Sequence, residues 1–182
     1  MTIVDAHVHL YPPEVNRDPV GWAASCGEHH WGQLCNRRRK DGKAVQSFPS
    51  VDQLLRDMDS AGVAKAVLLG WYWERPETCR MHNRFYAQCV EAHGDRLAAF
   101  ATIHPGAGAD QALGEIWLAR DSGFVGLGEL SPHSQGFSID DATFCAALKR
   151  AGECGLPVNL HVTDPASRKY PGRVVTPLED FI

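Results

Sequence analysis

No apolar run of roughly 18 residues or more occurs in the 182-residue chain, so its sequence offers no membrane-spanning helix. The opening Met1-Thr2-Ile3-Val4-Asp5 has neither the basic start nor the apolar stretch of a secretory signal, and a cytoplasmic protein is expected. Framework spacing is missing from the six cysteines (Cys26, Cys35, Cys79, Cys89, Cys145 and Cys154), which therefore read as free thiols in a reducing compartment. There is no excess of positive charge either: 18 Lys and Arg face 22 Asp and Glu, a formal net charge of -4. That excludes binding to nucleic acid by bulk charge, and the one basic run, Arg37-Arg38-Arg39-Lys40, reads as a solvated loop. Internal repeats and low-complexity linkers are absent. What remains is 44% hydrophobic and 22% charged, a globular composition that suits one core and is short for two.

Along the chain, short apolar runs alternate with amphipathic stretches. Strands are expected at 3–10, 65–70, 97–103, 124–130 and 157–162. Helices are expected from Ser50 to near Gly62, from Pro76 to near His93, over 109–122 and over 140–155, with another beginning at 176–180. Ser50 followed by Gln53 is a capping-box pattern. The run KAVLLG has the continuous apolar character of a strand covered on both faces. Residues 11–49, rich in Gly, Pro, His and charge, are expected to be irregular and to serve as a lid or specificity loop.

Strict β–α alternation with short connections implies right-handed βαβ units and a parallel sheet. Units of about 30 residues match the spacing of a (β/α)8 TIM barrel, which needs about 250 residues in all. The chain is therefore read as a single α/β domain over 1–182 covering about the first five βα units, part of a longer barrel. An open, doubly wound five-stranded sheet is the plainer alternative.

Nine histidines stand out, a count that raises metal or proton chemistry. In VDAHVHL, residues two apart share a strand face, so Asp5, His7 and His9 point one way and Val4, Ala6, Val8 and Leu10 the other. Two imidazoles at the end of a first strand can chelate one divalent cation, with Asp5 behind them as a possible orienter. In PVNLHV the polar Asn159 and His161 alternate with apolar residues, and His161 is a third candidate ligand. Glu129 ends the fourth strand; it can complete a coordination sphere, bridge two ions or shuttle a proton.

His104 ends the third strand and His133 follows the fourth, both on the rim where βα barrels bind substrate. They either contact substrate or stand as loop histidines in water. Trp71, Tyr72 and Trp73 either wall the pocket or cover the rim. The segment from Cys26 to Cys35, with His29 and His30, has ligand-type residues, but its spacing fits no closed four-ligand zinc site. A lid is the preferred reading.

The phrases IVDAHVHL, RLAAFATIHP, GFVGLGELSPHSQGF and GLPVNLHV resemble the amidohydrolase superfamily, and within it the family-2 branch of TIM-barrel hydrolases and decarboxylases. The resemblance covers nearly the whole chain in order, except 11–49. It implies a divalent metal, most often zinc, as one or two ions held by His7, His9 and His161. The Glu129 position resembles the strand-4 carboxylate of TatD-like nucleases. The sixth-strand His and eighth-strand Asp of the family would lie beyond residue 182.

The function this implies is a metal-dependent hydrolase. Its ion lowers the pKa of bound water toward about 7 and polarises a carbonyl, cleaving an amide, ester or lactone. Glu129, His104 and His133 are the candidate catalytic residues, and small carboxylated or lactone-like molecules the expected substrates. Alternatives are a non-oxidative decarboxylase of the same family, a TatD-like nuclease, and a non-catalytic truncated paralogue or interaction protein. No nucleic acid or membrane partner is expected; a homo-oligomer is compatible.

Overall fold

A computed structural model describes residues 2–182. Its sheet has five parallel strands in the order β1 (Ile3–Val8), β2 (Val63–Leu68), β3 (Leu97–Ala101), β4 (Gly126–Leu130) and β5 (Val158–Leu160). Strand order follows chain order without reversal, which excludes the doubly wound alternative. The sheet also curls: at the end of β2, Gly70 N donates to Gly128 O and Gly70 O accepts from Glu129 N, both at 2.7 Å. Strands two apart thus touch by their backbones. This is half of a (β/α)8 barrel, as the alternation predicts.

The connecting helices are α4 (Val51–Ala61), α5 (Pro76–His93), α6 (Ala109–Asp121) and α8 (Ala142–Glu153). Local chemistry sets their ends. The Ser50 hydroxyl accepts from Gln53 N at the start of α4, and Gly62 closes that helix with φ 69°, the left-handed conformation a glycine adopts without penalty. Pro76 opens α5, where its missing N–H is not needed. Asp141 caps α8 through Phe144 N. Between sheet and helices lies a core that includes Leu68, Leu97, Ile116, Leu127 and Phe144, each at most 2% exposed.

Residues 11–49 differ from expectation. They form three short helices, α1 (Pro13–Arg17), α2 (Pro19–Cys26) and α3 (His29–Cys35), then a turn bridged at Arg38 and Ala44. Five to eight residues are too few to display an amphipathic period, and helices this short depend on tertiary packing. Here the packing is aromatic: Tyr11, Trp31, Trp71, Tyr72 and Trp73 form a second core with Val15, Ala23 and Leu34. His133, expected in a loop, lies in α7 (Pro132–Gln135). The last turn, Leu178–Phe181, is a 3-10 helix. All six cysteines are free.

Strand β1 borders the sheet, and Ile3 and Val4 are 43% and 51% exposed. Among the described residues, no helix is long and apolar enough to cross a membrane.

Candidate metal centre

Strand alternation brings His7 and His9 onto one face of β1 and just beyond its end, and their Nε2 atoms lie 3.0 Å apart. Glu129, on β4, directs Oε2 to within 3.4 Å of His9 Nε2 and 3.7 Å of His7 Nε2. These three donor atoms all lie within 4.8 Å of one another. Two glycines make the approach possible. A Cβ on Gly70 would press on Thr102 and Gly128 O, and one on Gly128 would lie 2.4 Å from Asn159 O.

His9 Nδ1 lies 3.0 Å from the carbonyl of Leu69. A carbonyl only accepts, so Nδ1 carries the proton and Nε2 presents its lone pair toward His7. Two nitrogens about 2.1 Å from one ion can adopt the separation seen here. The adjacent carboxylate supplies negative charge. Three buried polar atoms on flanking residues have no protein partner: Trp71 Nε1, His30 Nδ1 and Asn159 Oδ1. Buried orphans of this kind call for a partner from outside the chain, such as water or a bound molecule. The converging donors His7, His9 and Glu129 fit a divalent cation.

The electrostatics agree. Burial opposes ionisation of Glu129, but the hydrogen bonds and charges of the His161 and His9 rings, in their protonated forms, outweigh it and hold the carboxyl down at about 2. Desolvation, followed by the neighbouring His9 ring, lowers the pKa of His7, which favours the neutral imidazole that binding a cation requires.

His161 is near the cluster but differently engaged. Its Nδ1 meets Glu129 Oε1 at 2.6 Å, so the ring braces the carboxylate, and it stands outside the set of three converging donors. Asp5 also differs from expectation: it accepts from the backbone N of His7 at 3.1 Å and does not touch an imidazole. The orienting role falls to the Leu69 carbonyl. That carbonyl also accepts from the Tyr86 hydroxyl, which in turn receives Leu10 N.

The rim histidines are not brought to the cluster. His104 accepts from Gly106 N through Nδ1 and meets Gln135 O through Nε2, so both ring nitrogens serve the backbone. His133 Nε2 pairs with Asp180 at 2.8 Å. Trp71 and Tyr72 do flank the cluster. Their rings stack at 4.3 Å, Trp71 meets the His9 ring edge-on at 5.0 Å, and Tyr72 lies 5.0 Å from the His161 ring.

Three residues of this architecture escaped sequence reasoning. Tyr86 is one. Another is His82, whose Nδ1 accepts from Trp73 Nε1 while Nε2 donates to Leu10 O. The third is Glu28, buried, whose carboxylate accepts from Glu74 N and Arg75 N while Glu74 accepts from His30 N. His82 and Tyr86, four apart on one face of α5, carried the only sequence signal.

A family model described as Amidohydrolase matches residues 4–180. Among solved structures, 5-carboxyvanillate decarboxylase from Novosphingobium aromaticivorans, with bound manganese, aligns with a TM-score of 0.68 at 18% identity, over 88% of this chain and 51% of that one. The 2,6-dihydroxybenzoate decarboxylase from Rhizobium aligns at 0.58 and 22% identity, over 91% and 51%. A probable 2-pyrone-4,6-dicarboxylic acid hydrolase from Acinetobacter baumannii aligns at 0.55 and 14%, over 89% and 50%. The chain thus spans about half the length of these structures. A search among curated proteins finds no match.

Proposed function

The chain belongs to the amidohydrolase family, and on that premise we propose that it carries the metal-holding half of a non-oxidative decarboxylase for small carboxylated aromatic acids. One observation carries the reading: the stacked Trp71–Tyr72 pair borders the His7–His9–Glu129 donors, a flat aromatic wall beside a cation site. A planar ring can lie against such a wall while its carboxylate reaches the ion. Two structural neighbours act as decarboxylases on carboxylated aromatic rings, which supports this reading over the hydrolase expected from sequence.

His7, His9 and Glu129 would hold the cation. When bound, it supplies Lewis acidity and an anchor for a carboxylate. The protein's own groups do the rest. Leu69 O fixes the His9 tautomer, and His161 keeps the Glu129 carboxylate aligned. The aromatic pair covers the His9 side of the cluster and leaves His7 open to solvent. Two imidazoles and a carboxylate accept manganese or zinc; the manganese in the structural neighbour favours the former.

The test is CO2 release from a panel of hydroxybenzoates by the manganese-loaded protein, alongside metal content. His7→Ala combined with His9→Ala should remove both bound metal and turnover. Metal content unchanged in that variant, or hydrolysis of lactones without CO2 release, overturns the proposal.

A further inference from the structure

The basic run Arg37–Lys40 finds no role in the metal centre; Arg38, Arg39 and Lys40 are exposed, as a solvated loop would be, while Arg37 is half-buried. Arg37 and Arg38 follow α3, and the segment after β5 folds back against them. Gly172 sits against Leu34 and Gln33, close enough that a Cβ there would lie 3.1 Å from Leu34. His30 Nε2 meets Gly172 O at 2.7 Å. Between the two segments is a cleft of about 410 Å³ lined by Gln33, Asn36, Arg37, Arg38, Lys169 and Tyr170.

The charge arrangement is unusual. Three cations from segments some 130 residues apart in sequence line one cleft, and no carboxylate lines it with them. Among the described residues, none of the three cations takes part in an ion pair. Like charges brought together in this way repel, in a chain whose net charge is -4. One cation is also held in place: the Arg37 guanidinium lies 4.0 Å over the Tyr170 ring, a stacking that restrains its fork of donors while leaving its edge open.

We propose that this cleft is an anion site for a phosphate group, on a small molecule or free. A phosphate presents several acceptor oxygens and about two negative charges. The planar Arg37 fork can engage it bidentately, with Arg38 and Lys169 closing as point charges. Gln33 and Asn36 add neutral amide donors at the rim. Binding would neutralise the repulsion that the fold otherwise bears, and would tie α3 to the segment that follows β5. The assignment does not rest on the decarboxylase reading.

The experiment is calorimetric titration of the metal-loaded full chain with pyrophosphate, orthophosphate and phenyl phosphate at constant ionic strength. Saturable binding is expected, weakened at least tenfold in Arg37→Gln/Lys169→Gln and unchanged in Arg120→Gln, a control arginine that lies over Trp117 on α6. The exposed Arg38→Gln variant, free of any packing role, should weaken binding severalfold and keeps the test open if the double variant fails to fold. Metal content should stay the same in every variant, which separates this site from the metal centre. Tighter binding of phenyl phosphate than of orthophosphate assigns the cleft to phosphate esters; equal binding assigns it to the free anion. No saturable binding, or binding indifferent to Arg37, Arg38 and Lys169, overturns the proposal.

Discussion

Glu129 and His161 are joined across neighbouring strands by a 2.6 Å hydrogen bond from Nδ1 to Oε1, while the other oxygen of the same carboxylate faces His7 and His9. One carboxylate thus links β5 to β1 across the curve of the half-barrel. Its two oxygens have separate tasks, one toward the donor cluster and one toward the residue that positions it.

That division predicts a graded response in metal binding. Removing a positioning partner typically costs about 10–100-fold in affinity, whereas removing a donor costs the site. His161→Ala should weaken manganese binding by roughly that factor, and Glu129→Ala should lose it within the range a chelator competition can read. Equal loss in both variants would place His161 among the direct donors, as the family resemblance implies.

Tyr86 predicts a stability effect with a functional echo. Its hydroxyl accepts from Leu10 N and donates to Leu69 O, all three groups being buried. Tyr86→Phe removes the bridge and strands a buried N–H, at a cost of about 1–3 kcal/mol. Chemical denaturation should show that loss. Because Leu69 O also fixes His9, metal affinity should fall too, and should be insensitive to Phe85→Leu on the neighbouring position.

The alternation of apolar runs made the five strands and four connecting helices legible, and period-two spacing placed His7 with His9. Capping pairs such as Ser50 and Gln53 located helix starts because those interactions are local. The aromatic core over residues 11–49 was not legible, since it is built from Tyr11, Trp31 and Trp73, which meet only in three dimensions. The same holds for the engagement of His104: its ring nitrogens find Gly106 N and Gln135 O, and no spacing rule separates that outcome from a ligand. His161 was placed near the metal by its strand position, but the direction of its ring depends on the curl that brings Gly70 to Gly128.

Glu28 predicts a pH dependence. Burial pushes its carboxyl up to about 7, against the opposing hydrogen bonds from Thr78 and from the backbone of Glu74 and Arg75 and with the Glu74 charge adding to the rise. The folded-state value lies above the unfolded one, so the native state holds the proton longer. Stability from this group is full below about pH 4.5 and is lost as pH rises through about 7, spanning roughly 3 kcal/mol for a fully buried group. Melting temperature should therefore decline between pH 5 and 8, and Glu28→Gln, although less stable through a lost acceptor, should show a flatter profile. A parallel decline in the variant would assign the slope to another group.

Gly128 gives the sharpest structural test, because two independent observations bear on it. Its φ of 131° belongs to a region essentially reserved for glycine, and a Cβ would lie 2.4 Å from Asn159 O. Gly128→Ala should destabilise the chain by about 1–3 kcal/mol or more and displace the adjacent Glu129, lowering metal affinity with it. Gly114, inside α6, is the matched comparison: a Cβ there meets nothing within 4 Å. Gly114→Ala should stabilise by up to about 1 kcal/mol through helix propensity alone and leave metal binding unchanged. Denaturation midpoints and manganese titrations on the two variants read both effects. A Gly128→Ala protein that melts and binds metal like its parent would mean that the close backbone approach between β4 and β5 does not set the position of Glu129.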